Sequence, residues 1–65
     1  MGYTSRRVFI VVTGNIYDPA TWGIEAVFSD RNKAEEFKEK FKQDNPEMFY
    51  EGSGWIIRVE EHDVR

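Results

Sequence analysis

The sequence predicts an α+β domain of element order β-β-α-β: a three-stranded, antiparallel-mixed sheet of strand order 2-1-3 with one helix on one face. Three observations carry this expectation. Val8–Thr13 is an unbroken β-branched and aromatic run, apolar on both faces, as a central strand covered on both sides must be. Trp22–Phe28 and Trp55–Glu61 alternate apolar with polar residues, the period of half-buried strands. Between them, Ala34, Phe37 and Phe41 recur at helical spacing in a charged stretch.

Residues 1–5 read as a loose leader of a single domain spanning residues 1–65. The first strand follows, Arg7 and Gly14 bounding its apolar run. Gly14–Thr21 carries turn chemistry, with Asn15 tolerant of left-handed geometry and Asp18-Pro19 setting a turn, so a long hairpin is expected. In the second strand Trp22, Ile24, Ala26 and Phe28 share one face, and Gly23, Glu25 and Val27 the other.

Ser29 or Asp30 can accept from the free N–H groups of a helix start, and Phe28 can staple the first turn. The helix is expected over about 31–43, with Glu36–Lys40, Glu35–Lys38 and Glu39–Lys42 positioned for ion pairs. Asp44-Asn45-Pro46 ends it, because proline disfavours helical geometry in the residue before it. At about 1.5 Å per residue the helix spans roughly 20 Å, which matches a six-residue strand at about 3.3 Å per residue. Gly52-Ser53-Gly54 frees the backbone ahead of the last strand.

A strand–helix–strand crossover returns the third strand parallel to the second. With the first strand central, the third therefore runs antiparallel to it. Ala34, Phe37 and Phe41 should then pack on Ile24, Ala26, Phe28, Trp55, Ile57 and Val59. The opposite face receives Glu25, Val27, Ile56, Arg58 and one alternating set of the first strand, either Val8/Ile10/Val12 or Phe9/Val11/Thr13. A single helix cannot cover both faces. Contiguous apolar patches beyond a few hundred Å² mark interaction sites, whereas a solvated face would keep its β-branched residues for strand propensity alone.

Composition narrows the function. The chain has 65 residues, 40% of them hydrophobic and 32% charged, too apolar for disorder and too charged for a membrane span. A compact chain of this length has a radius of gyration of about 11 Å. One core of this size seldom contributes more than about 3–5 kcal/mol, so small domains carry a disulfide, a metal or a partner chain. With no cysteine and one histidine, a partner chain is the staple left open. A net charge of −3 disfavours nonspecific nucleic-acid binding, which depends on neutralising phosphates. Arg6-Arg7, the adjacent basic pair, reads as charge guarding a strand. No signal peptide is visible, and Arg6 occupies the position where a myristoylation motif needs Ser or Thr. The expected compartment is cytoplasmic, with no membrane association and no cofactor.

Catalytic candidates fail on geometry. In Glu60-Glu61-His62-Asp63, strand alternation puts Glu60 and His62 on one face, so at most two metal ligands converge. Ser5, Ser29 and Ser53 lack a histidine arrangement, Gly52-Ser53-Gly54 lacks the lysine of a phosphate loop, and Glu35 and Glu36 project apart on the helix. The expectation is a non-enzymatic module. Tyr17, Trp22, Phe49, Tyr50 and Trp55 cluster near loops and strand starts, where aromatics serve either interfaces or a small core. The residues expected at a partner or dimer interface are Val27, Ile56, Arg58, Glu25, Tyr17 and Tyr50, with Arg58 and Glu25 fixing register. Two alternatives use overlapping residues: a nucleic-acid binder through Arg6, Arg7, Arg58 and sheet aromatics, and a small-molecule or nucleotide binder with Tyr17, Trp22, Tyr50 and Arg58 lining a pocket at a dimer cleft.

The hydrophobic strand Val8–Val12, the junction Ala26-Val27-Phe28-Ser29 running into Lys33-Ala34-Glu35-Glu36-Phe37, and the acidic final strand Trp55–Glu60 together resemble small uncharacterised β-β-α-β domains of bacteria and their phages. The resemblance covers residues 7–61. It implies a phage or prophage accessory protein, whose role would be to bind and modulate a host protein. The expectation that the chain also binds itself, as a homodimer or higher assembly, rests on the uncovered sheet face and the missing staple. It carries over no catalytic residue.

Overall fold

A computed structural model describes residues 6–64; the expected leader over residues 1–5 lies outside the described residues. Strand β1 (Arg6–Asn15) lies between β2 (Asp18–Phe28) and β3 (Trp55–Val64), antiparallel to both, and helix α1 (Arg31–Asp44) joins β2 to β3. The order is 2-1-3, as the doubly apolar first strand requires.

Phe9, Val11 and Thr13 are buried on the helix side of β1, whereas Val8, Ile10 and Val12 are half-buried on the other. This decides which set of the central strand meets the helix. Phe9, Val11, Ala34 and Ile57 form the buried core, and Ala26, Phe28, Phe37, Phe41, Phe49 and Val59 pack against it. Trp55, expected in that core, instead stands half-buried beside Phe49 and Tyr50. Aromatic rings run through the layer, with centroids 5.6 Å apart for Phe28–Phe37, 5.9 Å for Phe37–Phe41 and 5.8 Å for Phe41–Phe49. Phe28 thus reaches the second turn of the helix, beyond the first turn it was expected to staple. Asp30 is the helix cap, its Oδ1 accepting from the Asn32 N–H at 2.8 Å. Of the expected helix pairs, Lys38–Glu35 closes to 3.3 Å.

Three sequence expectations need correction. The hairpin is tight: Asn15 pairs with Asp18 across Ile16-Tyr17, and the Asn15 side chain accepts from the Tyr17 N–H at 2.9 Å. Asn15 thus builds the turn through its side chain, and Pro19 sits inside an edge strand, where its missing N–H faces no neighbour. Secondly, β2 slips by one residue. Val11 pairs with Ala26 but Val12 pairs with Ile24, so Glu25 is the extra residue of a bulge. Ile24 therefore leaves the helix side and is 64% exposed on the opposite face. Thirdly, strands of about 33 Å outrun a helix of about 21 Å, and the radius of gyration is 13.9 Å against the 11 Å of a compact chain. No helix of the described residues is long and apolar enough to cross a membrane.

Candidate interaction surface

The helix-free face is built by alternation. On β1 it carries Val8, Ile10, Val12 and Gly14. Cross-strand register adds Ile56, Arg58, Glu60 and His62 from β3, opposite Gly14, Val12, Ile10 and Val8 respectively, with Ile24 and Val27 from β2. Ile24, Val27 and Ile56 are all exposed. Among the described residues no element covers this face. Its apolar character comes from a strand that must be hydrophobic on both sides to be central, while one helix covers only one side.

Trp22 organises the hairpin end of the face. Its ring lies against the backbone of Gly14, and a Cβ there would overlap the indole carbons, so only glycine admits the contact. The Arg58 guanidinium lies 5.0 Å from the ring centroid, within cation–π range. Arg58 in turn donates from Nε to Glu60 Oε2 at 3.0 Å and holds a 2.9 Å ion pair through Nη2. His62 Nε2 is 3.2 Å from Glu60 Oε1. The hydrogen bond to His62, with Arg58 adding its own hydrogen bond and charge, holds the Glu60 carboxyl below its ordinary value, and partial desolvation opposes this only in part. Glu60 thereby sits as an anion between the Arg58 guanidinium and the His62 ring along one strand.

Of the six expected interface residues, Val27, Ile56 and Arg58 share this face. Glu25 does not join Arg58, because the bulge carries it to Thr13, whose hydroxyl donates to Glu25 Oε2 at 2.9 Å. Burying Thr13 on the helix side needs an acceptor, and the bulged carboxylate supplies it. Tyr17 is 77% exposed at the hairpin tip, its ring over Gly54, where an added Cβ would come within 2.7 Å of it. Gly54 adopts a φ of +84°, the left-handed region that glycine enters freely, and its carbonyl accepts from Ile16 N–H at 2.9 Å. Tyr50 is exposed beside a hollow of about 330 Å³ that includes Phe49, Trp55 and Lys42. A shallower groove of about 280 Å³ on the open face is lined by Val12, Trp22, Gly23, Ile24, Arg58 and Glu60. Within one chain Trp22 and Arg58 line this groove, and Tyr50 borders the other hollow.

Alternation alone put Trp22 and Ile24 on the helix side, from which the slip at Glu25 moves them to the open face, and Gly14, read as a turn residue, lies in a strand beneath an indole. Among the described residues no three His, Asp or Glu side chains converge as metal ligands. Comparison with protein-family models, curated proteins and solved structures finds no match for this chain.

Proposed function

We propose that this chain is a non-enzymatic interaction module that associates through its open sheet face, with a second copy of itself as the first occupant. What supports the reading is one observation: Ile24, Val27 and Ile56 stand exposed around a half-buried row of Val8, Ile10 and Val12, opposite the only face the helix covers. Covering that face supplies the apolar burial that four buried hydrophobic residues do not provide on their own. Arg58 and Glu60 make the face locally neutral, so two copies meet without like charges forced together.

The resemblance to phage accessory domains adds a host protein as the downstream partner of the assembled module, in the cytoplasm. Nucleic-acid binding is disfavoured by the acidic balance and by the occupation of Trp22, whose ring is held by Gly14 and Arg58 rather than free to stack on a base.

The experiment is Ile56→Asp. A carboxylate in place of this exposed apolar side chain at the hairpin end of the face must be desolvated on association, so the variant should weaken assembly at least tenfold in sedimentation or light scattering while leaving the fold intact. Equal association of variant and wild type would exclude the face as the contact.

A further inference from the structure

We propose that β3 is an association edge that pairs antiparallel with β3 of a second copy, in a register centred on Val59. The proposal rests on the self-association reading above and specifies its geometry.

Both outer strands have one free edge, but they are not equivalent. Strand β2 carries Pro19, the bulge at Glu25 and a second register shift near the hairpin, all devices that spoil strand addition. Strand β3 has none of these. It pairs with β1 without interruption from Asn15↔Trp55 to Arg6↔Val64, so its outer edge is straight and long. Among the described residues, no backbone hydrogen bond from the helix or its following loop reaches that edge.

The side chains favour a register with charges matched across the pair. A two-fold axis perpendicular to the sheet pairs each residue with its mirror about the centre and keeps faces aligned. Centred on Arg58, Glu60 or Glu61, the pairing sets a like charge opposite itself. Centred on Val59, it sets Arg58 opposite the partner's Glu60 and Glu60 opposite the partner's Arg58, with Ile56 facing His62. The charges that repel other strands are complementary here. The helices also fit: α1 spans the three strands, so two such helices lie about three strand spacings, or roughly 14 Å, apart, beyond the 8–10 Å at which helices pack.

Area supplies the second reason. Three strands about 4.8 Å apart, over the seven residues Val8–Gly14 at about 3.3 Å each, make a face of roughly 330 Å². Two single faces packed together bury about 660 Å², short of the ~1,000 Å² of a stable interface. Edge pairing first joins two faces into one six-stranded surface, and two of those bury roughly 1,300 Å², within the standard range. The open face becomes large enough to close only after the edges have paired.

The test uses charge reversal in trans. Arg58→Glu and Glu60→Arg each break the charge match in their own homodimer and should associate at least tenfold more weakly than wild type. Mixed in equal amounts, the two variants place opposite charges across both positions, and association should return to within about threefold of wild type, as a heterodimer. The pair within each chain stays broken in the mixture, so a purely intrachain role for these residues predicts no rescue. Wild-type association without rescue overturns the β3 pairing and the area argument built on it, and the open-face reading is then decided separately by whether Ile56→Asp weakens that association; a wild-type monomer up to about 100 µM overturns both. Should either variant fail to fold, wild-type protein mixed from isotope-labelled and unlabelled chains gives the same decision. Intermolecular NOEs between Arg58 and Glu60 backbone protons support the register, and their absence in an associated sample overturns it.

Discussion

Replacing Gly14 by alanine sets two effects of opposite sign against each other. Glycine in a strand interior costs about 0.5–1 kcal/mol in backbone freedom relative to alanine. The φ of Gly14 is not in the left-handed region, so on backbone grounds alone Gly14→Ala should stabilise. The new methyl, however, would occupy the place of the Trp22 ring at Cγ, Cδ2 and Cε2. Cγ lies on the axis about which the indole turns, so rotating the ring does not clear it and the side chain must shift as a whole. Overpacking of this kind costs about 1–3 kcal/mol. The net expectation is destabilisation by about 1–2 kcal/mol, a fall in Tm of several degrees for a domain of this size. With Trp22→Ala already present the obstacle is gone, and Gly14→Ala should stabilise by about 0.5 kcal/mol. The coupling across this double-mutant cycle is about 2 kcal/mol. It is measured by urea unfolding of the four proteins at one fixed, low concentration, so that association contributes equally to each. Gly14→Ala stabilising in both backgrounds would refute the contact between strand and ring.

Two further predictions concern the cap and the charged row. Asp30→Ala should lower stability by about 1 kcal/mol, because its Oδ1 accepts from Asn32 N–H, while Ser29→Ala should stay within a few tenths in the same urea titration. The Glu60 carboxyl titrates below its ordinary value of 4.5 in the folded chain, so its contribution is present above that value and disappears as the pH falls through the depressed one. The stability difference between wild type and Glu60→Gln should accordingly shrink on acidification below about pH 4.5. A difference that grows toward low pH would contradict the arrangement with His62 and Arg58.

How much of this was legible depends on how local the signal was. The helix lies within a residue of its expected end because its stop, Asn45-Pro46, and its cap, Asp30, act on their immediate neighbours. The strand order followed from Val8–Thr13 being apolar on both faces, a property of one segment. Faces were a different matter. Alternation assigns sides only while the register holds, and the slip at Glu25 reverses the residues before it as far as the second shift near the hairpin, which is how Ile24 and Trp22 came to the open side. A polar residue between Ile24 and Ala26 is the trace such a bulge leaves, yet an ordinary outward-facing glutamate leaves the same trace. Gly14 and Gly54 were hidden for a related reason. An aromatic ring from elsewhere in the chain lies over each, with a left-handed φ as a second reason at Gly54, and one sequence does not record that approach. Of the interface residues, Val27, Ile56 and Arg58 fell together because no bulge separates them from the central strand's register.

The uncovered sheet face is most directly tested by sedimentation velocity on wild type and Ile56→Asp from about 1 to 100 µM, with far-UV circular dichroism confirming that both are folded. The predicted result is a wild-type mass that rises above the monomer with concentration and a variant distribution shifted to smaller species. A wild type that stays at 7.7 kDa throughout, or a variant that assembles as wild type does, would contradict it.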